Sequence, residues 1–273
     1  MKCGGDIKMK IKQIRNATLK IEYAGKTFLI DPWLIDRWAM GSFIEIPSKP
    51  FSVPDPVKEK IKMPICELPE SVDKILEGVD CHVITHIHPD HIDINSADGT
   101  VGAQLNKNVT TFAQNEDDAA IIKKSGFKNV PVLNEDSIQF GNIKLIKTPA
   151  LHGTINPCGE ACGVIFQAEG EKTLYLAGDT IWYGGVKQTL QKFNPDVVIL
   201  NACAAELVGF GRLIMNDEDV ECVAKTVPNA KIIISHMDNV AHASITRHSM
   251  RGLLAKRGIT DYLMPADGET LEF

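Results

Sequence analysis

The stretch Thr85-His86-Ile87-His88-Pro89-Asp90-His91 carries four residues that can bind a metal ion within seven positions. It overlaps the end of the apolar segment Cys81–Thr85, which is typical of a buried strand. In an extended turn, side chains two residues apart point to the same side, so His86 and His88 face one point. Asp90 and His91 lie beyond the proline and reach a second point nearby. Because imidazole and carboxylate groups suit zinc, iron or manganese, the stretch predicts half of a two-metal site in a loop after a strand.

The pattern of apolar residues on either side of this loop predicts two mixed sheets with helices outside. An alternating stretch before Asp31-Pro32 indicates a β-hairpin, which ends there because proline cannot continue a ladder of hydrogen bonds. Strands are predicted at 109–113, 130–133, 137–140, 143–147, 163–168, 173–177, 197–202, 232–235 and 262–265. Helices are predicted at 71–77, 115–125, 186–193, 217–226 and 245–256, the last one capped by Ser244.

Residues 33–70 differ in composition from the rest of the chain. Seven of the fourteen prolines lie between Pro32 and Pro69, together with two of the three tryptophans. This excludes a regular helix or central strand, and the apolar content is too high for a free linker. We therefore predict an inserted arm that packs on the domain. Its role stays open between a functional loop and a structural arm that contacts another copy of the chain.

Composition and charge limit the classes of function. The 273 residues suit one domain over 1–273, with a disordered tail at 1–8. Lys and Arg number 29 against 35 Asp and Glu, so the net charge of −6 argues against nucleic acid and membrane partners. Seven scattered cysteines indicate reduced thiols. The sequence has no signal peptide and no apolar run of about 20 residues, which predicts a soluble cytoplasmic protein. Its expected partner is an anionic small-molecule substrate.

The motif His-x-His-x-Asp-His after a strand resembles the signature of the metallo-β-lactamase superfamily. The order of the remaining elements is similar across nearly the whole chain. An early strand ends in Ile30-Asp31-Pro32, and later segments read Pro149-Ala150-Leu151-His152, Leu176-Ala177-Gly178-Asp179-Thr180 and Ile234-Ser235-His236. The resemblance implies an α/β (α+β) fold, a four-layer αββα sandwich in which two mixed β-sheets are flanked by helices.

The resemblance also implies a ligand set for two divalent metal ions, with zinc as the first choice and manganese or iron as alternatives. One ion would be held by His86, His88 and His152, the other by Asp90, His91 and His236, with Asp179 bridging the two. Asp31 is expected to orient the histidine loop from behind. The alternatives are surface histidines in a polar loop, core histidines at 152 and 236, and a turn residue at 179. They are disfavoured because each position ends a predicted strand, which places all of them at one sheet edge.

Two such ions would hold a bridging water and lower its pKa towards about 7. The resulting hydroxide would attack a carbonyl carbon or a phosphorus atom, and Asp90 would accept its proton as well as bind metal. No serine or cysteine nucleophile is needed. Cys203 follows a strand, but nothing in the sequence marks it as activated, so a packing role is expected.

Within the superfamily, Lys172 to Thr180, then Ser235-His236-Met237-Asp238 and His242, are most similar to the cytosolic branch that contains L-ascorbate-6-phosphate lactonase. His242 is a candidate for binding substrate or protonating the leaving group, with a surface or capping histidine as the alternative. Asp238, Arg212 and Arg247 are candidate substrate contacts, the arginines for an anionic group, and each has a solvent-exposed role as its alternative.

Three functions follow as hypotheses. The first is a metal-dependent hydrolase that opens a small polar ester, a sugar lactone or phosphorylated lactone. The second is a metal-dependent phosphodiesterase. The third, from another class, is a metal-binding regulatory protein without turnover, which the intact ligand set disfavours.

Overall fold

A computed structural model of the chain describes residues 9–46 and 51–273. The strands are β1 (Lys10–Arg15), β2 (Thr18–Tyr23), β3 (Lys26–Ile30), β4 (Cys81–Val83), β5 (Thr110–Phe112), β6 (Ile138–Phe140), β7 (Ile143–Pro149), β8 (Cys162–Gln167), β9 (Leu174–Leu176), β10 (Val197–Asn201), β11 (Glu206–Leu207), β12 (Gly211–Arg212), β13 (Lys231–Ser235) and β14 (Thr270–Glu272). The helices are α1 (Val72–Leu76), α2 (Glu116–Lys124), α3 (Gly184–Phe193), α4 (Asp217–Thr226) and α5 (Arg247–Lys256). None of these helices is long and apolar enough to cross a bilayer.

The strands form two six-stranded mixed sheets and a small β11–β12 hairpin. The first sheet has the order β14-β1-β2-β3-β4-β5, with β3, β4 and β5 parallel to one another. The second sheet has the order β13-β10-β9-β8-β7-β6, with β9, β10 and β13 parallel. Helices flank the pair of sheets, so the predicted metallo-β-lactamase fold is confirmed.

Alternation along single strands shows why four layers form. In β10, Val197 and Ile199 belong to the apolar cluster between the sheets, whereas Val198 and Leu200 belong to the cluster under α3, α4 and α5. A strand that is apolar on both faces must be covered on both faces. A third cluster lies under α1 and α2 on the outer face of the first sheet, where Leu29 packs.

Aromatic rings join the two sheets across the central layer. The rings of Phe28 in β3 and Phe166 in β8 are 5.1 Å apart and nearly perpendicular. The hydroxyl of Tyr23 in β2 donates a hydrogen bond to the main-chain oxygen of Phe166 at 3.2 Å. These contacts fix the relative position of the sheets, and hence of the loops at their shared edge.

The described part of the arm at 33–70 contacts the first sheet through Arg15. Arg15 is fully buried, and its guanidinium donates to the main-chain oxygens of Trp33 at 2.9 Å and Ile35 at 2.8 Å. It also donates to the main-chain oxygen of Cys66 at 3.3 Å, so one side chain holds both ends of the arm. Residues 47–50 of the arm and the tail predicted at 1–8 lie outside the described residues.

Several element predictions need correction. The segments predicted as strands at 130–133 and 262–265 each make a single bridge, because Pro131 and Pro265 have no main-chain N–H to extend a ladder. The helix predicted from residue 245 begins at Arg247, and its cap is Thr246, whose side chain accepts from the N–H of Ser249. The edge strand β14 and the β11–β12 hairpin were not predicted because two or three residues carry no readable period.

The central layer gives the first prediction. Phe166→Ala removes a fully buried ring from between the sheets, and we expect it to lower the free energy of unfolding by about 3–5 kcal/mol. The measurement is urea unfolding followed by circular dichroism. Ile155→Ala is the control, since this side chain is 69% exposed and should change stability by no more than about 0.5 kcal/mol. Equal effects of the two substitutions would contradict the central role of Phe166.

Candidate metal centre

The candidate ligands lie just beyond the ends of four strands. Loop 85–91 follows β4 in the first sheet, while His152, Asp179 and His236 follow β7, β9 and β13 in the second sheet. Because the two sheets are packed face to face, these strand ends open onto one shared edge. The candidate ligands therefore come from the loops that follow these strands.

Asp31 holds loop 85–91 in place. It follows β3, the parallel neighbour of β4, and its carboxylate accepts from the N–H of Thr85 at 2.8 Å and from the Thr85 hydroxyl at 2.7 Å. The same carboxylate lies 2.9 Å from Nδ1 of His91. A proton on Nδ1 satisfies this contact and leaves Nε2 of His91 facing the centre, which is the arrangement that orients a metal-binding imidazole.

One group of ligand atoms comes from three histidines. Nδ1 of His88 lies 3.0 Å from Nε2 of His86 and 3.3 Å from Nε2 of His152. Burial and the neighbouring imidazoles lower the pKa of His88 to about 4, and the pKa values of His86 and His152 are lowered for the same reasons. At neutral pH the three rings are therefore uncharged, and their free nitrogen electron pairs converge.

A second group combines Asp90, His91 and His236. Nε2 of His236 lies 3.3 Å from Oδ2 of Asp90 and 3.3 Å from Nε2 of His91. Burial raises the pKa of Asp90, but the hydrogen bond from His236 and the charges of nearby imidazoles outweigh it, so the pKa lies well below its usual value. The group therefore presents an ionised carboxylate beside two imidazoles.

Asp179 lies between the two groups. Its Oδ2 is 3.2 Å from Nε2 of His91, 3.8 Å from Nε2 of His152 and 3.9 Å from Nε2 of both His86 and His236. Its Oδ1 accepts a hydrogen bond from the side-chain amide of Asn201 at 2.7 Å, which fixes the carboxylate plane. One oxygen of Asp179 is therefore shared by both groups of ligand atoms.

The donor set fits divalent metal ions. Within each of three overlapping groups, the ligand atoms lie within 4.8 Å of one another and are almost entirely buried: His86, His88 and His152; His86, His91 and Asp179; Asp90, His91 and His236. Buried nitrogen electron pairs and carboxylates placed this closely repel one another unless a cation lies among them. Nitrogen and oxygen donors of this kind suit zinc, manganese or iron.

His242 lies beside the centre. Its Nε2 is 4.0 Å from Oδ2 of Asp90, and its ring meets the ring of Phe43 from the arm at a centroid distance of 5.4 Å. Burial lowers the pKa of His242 to about 4, so the ring is neutral at physiological pH. It therefore offers one N–H and one free electron pair, not a stored positive charge.

Asp238, Arg212 and Arg247, the candidate substrate contacts, are not among the described residues that line the pocket over the metal centre. Arg247 donates to Asp238 at 3.1 Å and to Asp267, while Arg212 pairs with Asp219. Carboxylates on neighbouring segments therefore already neutralise both arginines. Among the described residues, these ion pairs give Asp238, Arg212 and Arg247 a structural role.

The pocket over the centre has one polar side and one apolar side. His88, Asp90, His152, Asp179 and His242 form the polar side. Apolar side chains from the arm and from the loops around β11 and β12 face them: Met40, Phe43, Phe51, Leu207 and Leu213. Among the described residues that line this pocket there is no lysine or arginine. The apolar wall was not predicted, because its members are far apart in the chain.

Two residues that contact the candidate ligands, Asn201 and Asn16, were not singled out from the sequence. Asn201 is a polar residue at the end of the apolar strand β10, the same signal that marked the candidate ligands. Asn16 lies in the turn between β1 and β2, where asparagine is common for purely local reasons.

Cys158 lies in the pocket wall, and burial raises the pKa of its thiol to about 11, so the thiol stays protonated.

Comparison with known proteins agrees with this geometry. Residues 28–237 match the family described as "Beta-lactamase superfamily domain". The chain is 38% identical over 270 residues to "UPF0173 protein YddR" of Bacillus subtilis, covering 97% of this chain and 100% of the relative. The crystal structure of an isothiocyanate hydrolase from Delia radicum gut bacteria is similar with a TM-score of 0.84 and 36% identity, over 97% of this chain and 99% of that one. A possible metal-dependent hydrolase from Veillonella parvula gives a TM-score of 0.86 and 34% identity, over 97% and 100%.

The shared position of Asp179 gives the second prediction. Asp179→Asn keeps the size of the side chain but removes the charge between the two groups of ligand atoms, so we expect a large loss of bound metal with the fold retained. The measurement is metal content by plasma emission spectrometry after dialysis, with circular dichroism as the check on folding. Asp136→Asn, at an exposed position, is the control. Unchanged metal content in Asp179→Asn would contradict the bridging position.

Proposed function

Because the chain belongs to the metallo-β-lactamase superfamily and, within it, to the UPF0173 family of metal-dependent hydrolases, we propose that it uses two divalent metal ions to hydrolyse isothiocyanates. The substrate would be a small uncharged molecule with an electrophilic carbon and an apolar substituent. The observation that carries this proposal is the pocket itself, in which an apolar wall faces the ligand cluster and the described lining residues include no lysine or arginine.

The apolar wall selects against charged substrates. Phe43, Phe51 and Leu213 offer no hydrogen bond to a phosphate or sugar hydroxyl, and burying such groups without partners costs free energy. An alkyl or aryl substituent gains free energy from the same surface, roughly 25 cal/mol for each Å² removed from water. Arg212 and Arg247, which would serve an anionic group, are engaged elsewhere. The wall therefore favours an apolar substituent over a phosphorylated one.

The reaction class comes from a relative. A protein 36% identical over almost the whole chain is an isothiocyanate hydrolase. An isothiocyanate, R–N=C=S, is uncharged and carries its substituent on nitrogen, as the divided pocket requires. Addition of water across the C=N bond gives R–NH–C(=O)–SH, which breaks its C–N bond to release the amine R–NH₂ and carbonyl sulfide. No redox partner is needed, and all atoms are accounted for.

In the proposed reaction, different residues bind the metal ions, accept the proton of water and hydrogen-bond to the substrate. His86, His88 and His152 would hold one metal ion, Asp90, His91 and His236 the other, and Asp179 both. When bound, such a pair of ions lowers the pKa of water to about 7 and stabilises negative charge that develops on the substrate. The carboxylate of Asp90 faces the pocket and accepts a proton from the attacking water. His242, neutral and 4.0 Å from Asp90, offers its N–H to the substrate heteroatom that gains electron density.

A lactone is the second candidate. Opening a lactone also requires attack on a carbon flanked by a heteroatom, and it releases an alkoxide that needs the hydrogen bond His242 can offer. The same apolar wall supports an uncharged lactone with an alkyl chain and argues against a phosphorylated sugar lactone. The resemblance to the L-ascorbate-6-phosphate lactonase branch therefore supports the type of chemistry more than the type of substituent.

A substrate panel tests the proposal. We expect turnover to be fastest with phenylethyl isothiocyanate, slower with an alkyl-substituted γ-lactone, and slowest with a phosphorylated sugar lactone and bis(p-nitrophenyl) phosphate. The measurement is kcat/KM for each compound with the zinc-loaded and manganese-loaded protein, with release of amine and carbonyl sulfide as the readout for the first. Faster cleavage of the phosphodiester would favour a phosphodiesterase. No turnover by protein that holds its metal would favour a regulatory role.

The role of His242 is tested separately. His242→Phe keeps a flat ring against Phe43 but removes both nitrogens, and we expect kcat to fall by about 10²–10⁴-fold while metal content stays unchanged. His242→Gln restores a side-chain N–H and should recover part of the loss. The measurement is kcat on the best substrate of the panel. A His242→Phe protein with the kcat of the natural protein would overturn this role.

A further inference from the structure

We propose that Asn16 and Cys203 are positioning residues that fix the imidazole of His236, with Nε2 turned towards Asp90 and His91. The inference rests on the metal-binding part of the proposed function. It makes the two residues supports for the second group of ligand atoms. Neither side chain is in the ligand groups, and the two come from different sheets. They contact opposite nitrogens of the same ring.

The turn at Asn16 is joined to the end of β13 by main-chain contacts. The main-chain oxygen of Asn16 accepts from the N–H of His236 at 3.1 Å and from the side-chain amide of Gln13 at 2.8 Å, and the Ser235 hydroxyl donates to Oε1 of Gln13 at 2.7 Å. These hydrogen bonds hold the β1–β2 turn against the residue that carries the imidazole. The two backbones therefore move as one unit.

The side chain of Asn16 reaches both members of the second group. Its Nδ2 donates to the main-chain oxygen of Asp90 at 3.0 Å and lies 3.2 Å from Nε2 of His236. Since the oxygen of Asp90 can only accept, the atom next to it must be the NH₂ group, which settles the orientation of the amide. The same NH₂ group therefore lies against the edge of the His236 ring on the side of Nε2, while its hydrogen bond goes to Asp90.

Two features of Asn16 need an explanation beyond the turn. Its φ is +53°, where glycine would be less strained, so the side chain has a reason to be present. Its Oδ1 is buried and has no hydrogen-bond partner among residues 9–46 and 51–273. An unpaired buried acceptor costs stability and calls for a functional reason. The contacts of Nδ2 with Asp90 and His236 supply that reason.

Cys203 contacts the other nitrogen of the same ring. It follows β10, is fully buried, and its Sγ lies 3.6 Å from Nδ1 of His236. The main-chain oxygen of Cys203 accepts from the N–H groups of Ser244 and Ile245 at 3.0 and 2.9 Å, so the thiol is held firmly. With Nδ1–H donating to sulfur, the free electron pair lies on Nε2, the form in which histidine binds a metal ion.

The two contacts are complementary. His236 itself has a φ of +62°, an uncommon backbone conformation for a residue with a side chain, and so its ring needs support from its surroundings. Sulfur on one side accepts from Nδ1–H, and the amide on the other side lies against the ring edge next to Asp90. Together the two contacts hold the ring with Nε2 towards Asp90 and His91.

Metal titration tests this inference without an activity assay. The full chain, freed of metal by a chelator, is titrated with Co²⁺ and Zn²⁺ by calorimetry and visible absorption. We expect Asn16→Gly and Cys203→Ala each to weaken the binding of one of the two ions by about 10–100-fold and to leave the binding of the other ion unchanged. Cys203→Ser should bind as the natural protein does, because its hydroxyl oxygen also accepts from Nδ1–H.

Matched controls separate positioning from general damage. Asn194→Gly makes the same change at an exposed residue with a φ of +41°, and Cys81→Ala removes another fully buried thiol. Both controls should bind two ions normally. The inference is overturned if Asn16→Gly and Cys203→Ala bind both ions as tightly as the controls do, or if Cys203→Ser binds as weakly as Cys203→Ala. A natural protein that binds no second ion would instead overturn the two-metal function itself.

Discussion

The carboxylate of Asp31 is the contact on which the site most depends. Its two oxygens accept from the N–H and hydroxyl of Thr85 and meet Nδ1 of His91, which fixes a loop containing four candidate ligands to the edge of the first sheet. Asp31 has a φ of +41°, so the chain accepts local strain to hold the carboxylate there. Because β3 and β4 are parallel neighbours, the residue after one strand can support the loop after the other. With the loop fixed, the remaining ligands, which follow β7, β9 and β13, must lie close to it to complete the centre.

The central apolar layer places the ligands of the second sheet next to loop 85–91. Packing of Phe28 against Phe166 holds the sheets face to face, so ligands from both sheets meet at one edge. The result is an unusual concentration of buried polar groups, in which imidazoles surround ionised carboxylates. Such an arrangement costs free energy to build and is stabilised by bound cations. The stability of this region and its metal binding are therefore parts of the same balance.

The proposed substrate preference rests on a different part of the molecule. The arm contributes Phe43 and Phe51 to the apolar wall, and the β11–β12 hairpin contributes Leu207. Arg15, which is fully buried, holds both ends of the arm through main-chain oxygens. The candidate metal centre and the wall are thus built by separate elements.

The sequence by itself determined the fold and the composition of the candidate centre. His-x-His-x-Asp-His after a strand, and the later His152, Asp179 and His236, are local patterns, and a polar residue at the end of an apolar strand can be recognised without neighbours. Only the tertiary structure decided what surrounds them. Asn16 and Cys203 meet His236 across the sheets, Arg212 and Arg247 are paired with nearby carboxylates, and the apolar wall joins residues from 40 to 213. These contacts depend on which loops pack together at one edge, and no local periodicity records that.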